Sequence, residues 1–172
     1  MPPLNFLERD EFLAARGILM RVATVDADGD PHVTPIWFVH EDGRIWFTPR
    51  KESLWLEHVR AHARVALAID EEAGPYRKVV VEGDAEIVHD LGDDDAWRDR
   101  YRRIALRYVP PEGAETYIQN ALDQPRTLLA VTLDESTVKT WRMPQGGESA
   151  SGIWHRRYYV AGSKFADEAD AG

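Results

Sequence analysis

Ala23-Thr-Val-Asp-Ala-Asp-Gly-Asp-Pro-His-Val-Thr-Pro-Ile-Trp-Phe-Val39 is the stretch whose reading decides the fold class. An apolar, β-branched run from Ile18 ends at Val25, and Asp26 to Asp30 then supplies a turn containing an Asp-Gly pair. A second run, Pro31 to His40, follows it. Two such runs flanking turn residues predict an antiparallel hairpin. Glu41-Asp-Gly-Arg44 then turns the chain into Ile45 to Thr48, which makes a three-stranded meander. Pro35 has no N–H to give to a ladder. It therefore marks an edge, a bulge or a ligand-facing point in the second strand.

Working outward, the residues before the meander predict a short helix. Asn5 caps it, Glu8 completes a capping box and Gly17 stops it. After the meander, Ser53 to about Ala61 reads as helix, with Leu54, Trp55, His58 and Val59 at helical spacing. Val65 to Asp70 is a short strand, and Arg77 to Val88 a long one with a kink at Gly83. A helical insertion at about 92–123 comes next. Asp93 to Asp95 open its first helix, Arg102, Arg103 and Arg107 lie near its end, and Pro110-Pro111 closes it. Trp97, Tyr101, Ile104, Ala105 and Tyr108 share one face, and a second helix spans Gly113 to Leu122. Arg126 to Trp141 is the last long strand, followed by a Gly-rich loop and the aromatic segment Ile153 to Val160.

The expectation is one mainly β (α+β) domain over residues 1–165 and a frayed tail over 166–172. Its six or seven antiparallel strands should close into a small barrel with peripheral helices, because closing removes exposed edges.

Composition narrows the function. The 172 residues carry 30 acidic and 21 basic side chains, a formal charge of −9, which speaks against nucleic-acid polymers and anionic membranes as partners. The absence of cysteine excludes disulfides, thiolate metal sites and Cys nucleophiles. The longest largely apolar run, about Val33 to Val39, is too short to span a bilayer. Met1-Pro-Pro-Leu-Asn5 lacks the features of a secretion signal, so a cytoplasmic location is expected.

Chemistry concentrates at Thr48-Pro-Arg50-Lys51-Glu-Ser53, where a strand ends and a helix begins. Two cations, two hydroxyls and unpaired helix N–H groups suit a phosphate, although the same residues also make a solvated basic turn. His58 and His62 stand four apart on the predicted helix, but no third ligand is evident and no metal site is expected. Ser149 and Ser151 lack the context of a hydrolase elbow. Trp141-Arg142 and Trp154-His-Arg-Arg-Tyr-Tyr159 can stack on a planar ligand or pack on each other.

Taken together, the hairpin stretch, Asp42-Gly-Arg-Ile-Trp-Phe-Thr48, the passage from Ser53 through His58-Val-Arg-Ala-His-Ala-Arg-Val-Ala-Leu67, and Tyr76-Arg-Lys-Val-Val-Val-Glu-Gly-Asp-Ala-Glu-Ile-Val88 resemble the flavin-binding split-barrel family. These are the pyridoxamine 5′-phosphate oxidase-like proteins, and the resemblance spans roughly Leu7 to Thr140. It implies a homodimer of split barrels with FMN or the deazaflavin coenzyme F-420 at the subunit interface. Backbone at Thr34, Pro35 and Ile36 would lie against the tricyclic ring. Thr48, Arg50, Lys51 and Ser53 would hold the phosphate, while Tyr76, Arg77 and Lys78 would approach from the neighbouring subunit. Tyr76 and Lys78 are proton-donor candidates from position only.

Many family members carry Ser-Arg-Lys at this helix start; here the residues are Ser53-Leu54-Trp55, with Arg50-Lys51 just upstream and Trp55 available to stack on the cofactor. The C-terminal Arg-x-His motif of the vitamin B6 oxidases is missing. The implied activity is hydride transfer between coenzyme F-420, or FMN, and a small unsaturated or aromatic substrate. The alternative is a non-catalytic carrier of a flavin, haem or other planar ligand.

Overall fold

Asn5 opens the first helix, α1 (Phe6–Ala14), through the expected capping box. Its side chain accepts from the Glu8 N–H, and the Glu8 carboxylate accepts from the Asn5 N–H. The computed structural model describes residues 1–148 together with Val160 and Gly162. The Ser149 and Ser151 loop, the aromatic segment 153–159 and the tail 166–172 therefore lie outside the described residues.

The hairpin forms as β1 (Met20–Val25) and β2 (Pro31–Ile36), in register from Met20 opposite Ile36 to Val25 opposite Pro31. A tight turn joins β3 (Phe38–Glu41) to β4 (Arg44–Phe47). Asp42 and Gly43 there have φ of 55° and 69°, the left-handed pair that a two-residue hairpin turn requires. Next come α2 (Leu54–Ala61), β5 (Arg64–Asp70), β6 (Lys78–Asp84) and β7 (Glu86–His89). The insertion holds a 3-10 turn at Asp94–Trp97, α3 (Arg98–Leu106) and α4 (Pro111–Gln119). The second of these helices starts two residues earlier than expected, because Pro111 sits at its first position, where a missing N–H costs nothing. β8 (Leu128–Thr132) and β9 (Val138–Trp141) are the last of the described elements.

Nine strands replace the six or seven expected, for a single geometric reason. They form two antiparallel sheets, ordered β2-β1-β5-β6-β9 and β3-β4-β8-β7. Each of the three longest expected strands passes from one sheet to the other and breaks at the crossing. The breaks fall at Trp37 between β2 and β3, at Ala85 between β6 and β7, and at the Asp134 to Thr137 turn between β8 and β9. The bend expected at Gly83 thus lies two residues later. Gly83 itself marks the close approach of the sheets, since a Cβ there would lie 2.9 Å from Val131 Cγ1.

Phe12, Phe38, Phe47, Leu67, Ile69 and Leu129 fill the space enclosed by the sheets and are fully buried. The four-stranded sheet is covered on its other face too. Val39, Trp46, Leu128 and Ala130 pack there against Trp97, Tyr101, Ile104 and Ile118 of the insertion. β2, by contrast, is the edge of the five-stranded sheet, and its Val33 is 64% exposed. No helix among the described residues is long and apolar enough to cross a membrane.

Arg142, just past β9, ties α1 to the segment after β9: its guanidinium donates to Glu8 of α1 and to both oxygens of Glu148. Arg142 and the Gln145 N–H hold the Glu148 carboxyl down at about 2. The Asn5 N–H, and then Arg142, hold Glu8 below its ordinary value of 4.5 against a smaller opposing effect of burial. A carboxyl whose folded pKa is depressed contributes stability above its unfolded pKa and loses it as pH falls through the folded value. The urea midpoint should therefore hold steady above about pH 5 and decline between 4.5 and 2. In Glu148→Gln the lowest part of that decline should be shallower; an identical profile would remove Glu148 from the account.

Candidate functional site

The break between β2 and β3, the end of β4 and the start of α2 meet at one hollow, which the insertion helices roof. Its volume is about 250 Å³. Pro35, Ile36 and Trp37 line it from the break, and Thr48, Pro49 and Arg50 from the segment after β4. Ser53 and Trp55 come from α2, Tyr101 and Ile104 from α3, Tyr117 from α4, and Arg126 from the residue pair before β8.

The polar side of the hollow is built by two chain segments zipped together. Arg50 and Arg126 face each other across an antiparallel bridge. The Lys51 N–H donates to the Pro125 carbonyl at 2.9 Å and the Thr127 N–H to the Pro49 carbonyl at 3.2 Å. Ser53 does not cap α2 with its side chain; its Oγ instead accepts from the Arg50 N–H at 3.1 Å. Arg126 is buried, and its Nη1 reaches only the Thr48 carbonyl and Oγ1, at 3.5 and 3.4 Å. Its Nε is buried without a partner, and the guanidinium lies 4.8 Å from the centre of the Tyr101 ring. Among the described residues no carboxylate pairs with the guanidinium of Arg50 or Arg126, whereas Arg21, Arg60, Arg77, Arg103 and Arg142 all hold one.

The other side is aromatic. Trp37 stacks flat on Tyr108 at 4.9 Å and 4°, with Tyr117 tilted against it at 5.0 Å. Trp55 is buried against Phe47, with ring centres 5.9 Å apart, so it presents an edge of the core to the hollow. The Tyr101 hydroxyl is buried with no hydrogen bond of good geometry, and burial, aided by the neighbouring Tyr117 hydroxyl against the nearby Arg126, pushes its pKa up, keeping it neutral. An unsatisfied buried hydroxyl costs about 1–3 kcal/mol. Tyr101→Phe should accordingly leave the free protein's melting temperature unchanged or higher, as thermal unfolding would read. A fall of several degrees would mean that the hydroxyl is satisfied in solution.

Six of the residues singled out from sequence, Pro35, Ile36, Thr48, Arg50, Ser53 and Trp55, border this hollow. Thr34 is paired with Val22 in the hairpin and does not line it. Lys51 is exposed and lines a neighbouring hollow with Arg50, Glu52 and Asp123. Tyr76, Arg77 and Lys78 are not at the hollow of their own chain. Arg77 is engaged by both oxygens of Glu71 and lies over the Phe12 ring at 5.0 Å, Lys78 opposes Trp141 in the sheet, and Tyr76 is exposed. Sequence reasoning missed Arg126, Trp37 and the insertion's Tyr101, Ile104 and Tyr117. The helical face shared by Tyr101 and Ile104 was the one available signal for the last group.

Residues 8–140 match the family model described as pyridoxamine 5′-phosphate oxidase. The chain belongs to this family. The two open sheets are the split barrel of the pyridoxamine 5′-phosphate oxidase-like proteins. No curated protein sequence matches the chain. Among solved structures, a conserved hypothetical protein from Mycobacterium tuberculosis superposes with a TM-score of 0.67 at 21% identity, covering 85% of this chain and 92% of that one. A FAD-binding protein from Mesorhizobium loti gives 0.61 at 23% identity, with 83% and 98% covered. An F-420 reductase gives 0.53 at 25% identity, with 71% and 90% covered.

Proposed function

We propose that the hollow holds the phosphate-bearing end of a flavin-type cofactor, coenzyme F-420 ahead of FMN, and that the protein is an oxidoreductase acting on a small unsaturated or aromatic substrate. One observation carries this reading: two neighbouring arginines, one of them buried, face a cavity without a carboxylate. A buried cation is costly unless paired, and an anionic ligand completes the pairing. The residues fit such a group. The guanidinium of Arg126 and the hydroxyls of Thr48 and Ser53 would supply donors for phosphate oxygens, and Arg50 would supply the second charge. Backbone at Pro35 and Ile36 would border the ring, and the Trp37, Tyr117 and Tyr101 wall would keep water from it.

When bound, such a cofactor supplies the hydride chemistry. The chain's part would be to orient it and exclude water. The similarity to an F-420 reductase supports the deazaflavin, as does the missing B6-oxidase motif.

A homodimer belongs to the same proposal. Small-molecule sites run from about 300 to 1,000 Å³. One chain offers about 250 Å³, so a flavin-sized ligand needs a further wall. The exposed β2 edge beside Pro35 is positioned to meet a second copy, which would bring Tyr76 and Lys78 toward the ring.

The test is titration of the purified chain with F-420, FMN and haemin, followed by absorbance and fluorescence. The expected result is micromolar binding of F-420 or FMN, and oxidation of the reduced cofactor by a conjugated enone. Binding of haemin alone would replace this reading with that of a non-catalytic carrier.

A further inference from the structure

Away from the cofactor hollow, three side chains from three elements converge: Asp26 in the turn after β1, His32 on β2 and His58 on α2. We propose that they form a divalent transition-metal site, suited to zinc, which clips α2 to the β1–β2 hairpin. One ligand atom from each lies within 4.8 Å of the others. His32 Nε2 is 2.9 Å from Asp26 Oδ2, and the two imidazole rings are 4.6 Å apart between centres. His32 and Asp26 share a direct hydrogen bond at that 2.9 Å distance. Tetrahedral ligands about 2.0–2.1 Å from one ion stand about 3.3–3.4 Å apart, so an ion entering here replaces that hydrogen bond with a spread of about half an ångström.

The remaining atoms of Asp26 and His58 are committed in the way metal ligands require. Asp26 Oδ1 accepts from the Asp28 and Asp30 N–H groups at 3.0 and 2.9 Å, which turns Oδ2 toward His32. The buried Thr24 hydroxyl contacts His58 Nδ1 at 3.0 Å, which leaves Nε2 as the free nitrogen. Such outer hydrogen bonds orient a ligating imidazole and fix its tautomer. His58 is buried while Asp26 and His32 are half-exposed, so an ion can enter from solvent and keep a water in its remaining position. Two nitrogens and one carboxylate oxygen select borderline ions such as Zn²⁺ or Co²⁺ over Mg²⁺ or Ca²⁺. His62 is not a ligand. It is the C-cap of α2, with φ −141° and ψ 103°, which carries it off the helical face that His58 occupies.

The clip would fix the helix whose first turn carries Ser53 and Trp55 into the cofactor hollow, but it stands apart from cofactor binding and is tested without it. The chelator-treated full chain is titrated with Zn²⁺ by calorimetry and with Co²⁺ by visible absorption. One ion per chain is expected, with a rise in melting temperature. The half-exposed variants His32→Ala and Asp26→Asn should fold, as circular dichroism reports, and bind at least tenfold more weakly. The control His62→Ala should bind as the unaltered chain does. Absence of a stoichiometric ion in the unaltered chain, or equal affinity in both ligand variants, overturns the assignment.

Discussion

Replacing Arg126 with Met is expected to weaken binding of F-420 or FMN at least thirtyfold, about 2 kcal/mol, without lowering the melting temperature of the free protein. The two halves of this expectation come from the same contacts. Without ligand the guanidinium is buried, holds no carboxylate and makes only two long hydrogen bonds, both to Thr48. Burying a cation under those conditions opposes folding, so removing the charge relieves a cost. Met keeps the apolar stem that packs beside Tyr101. With ligand, the lost interaction is a charge-assisted hydrogen bond to an anion in a water-poor site, worth about 1.5–3 kcal/mol. Unchanged affinity would make Arg126 a packing residue. A drop of several degrees in melting temperature, read by scanning calorimetry, would show that its contacts to Thr48 and Tyr101 hold the fold together.

Phe47→Ala should have the largest effect on stability, about 3–5 kcal/mol by chemical denaturation. Phe47 is fully buried at the end of β4, directly opposite Phe38, and stacks on Trp55 of α2. Truncation opens a cavity that neither sheet can close, and it is a large share of the 5–15 kcal/mol typical of a domain. Phe47→Leu, which keeps most of the volume, should cost under about 1.5 kcal/mol. Because Thr48 and Trp55 both border the hollow proposed to hold the cofactor, the Ala variant should also bind F-420 less tightly under conditions where it remains folded. A loss of less than 1 kcal/mol would mean that the two sheets pack more loosely than the buried ring implies.

The two hairpins were legible because their signals are local: an Asp-Gly pair between apolar runs dictates a turn whatever surrounds it. The three-stranded meander did not form, since its middle strand divides between the two sheets. Two of the crossings between sheets were not legible. Trp37 and Ala85 break strands whose residues read as continuous on both sides, and only the second sheet demands the break; the Asp134 to Thr137 turn carries a local signal, since its polar side chains close it on Asp134. The strand and α2 side of the hollow was likewise legible, since Thr48 to Trp55 lie in one short run. Arg126 was not, because a β-bridge brings it beside Arg50 from a distant part of the sequence. The metal-ligand cluster shows the same limit. The spacing of His58 and His62 suggests a pair, yet His62 leaves the helix at its cap, while His58 meets His32 through the fold.

The central claim is that the hollow recognises the phosphate end of its cofactor through Arg126 and Arg50. The most direct test compares matched ligands with and without that group: FMN against riboflavin, and F-420 against its phosphate-free deazaflavin, each titrated into the unaltered chain and Arg126→Met. The account predicts at least tenfold tighter binding of the phosphorylated member by the unaltered chain, and a ratio near one in the variant. Equal affinity of the unaltered chain for both members of each pair would contradict it.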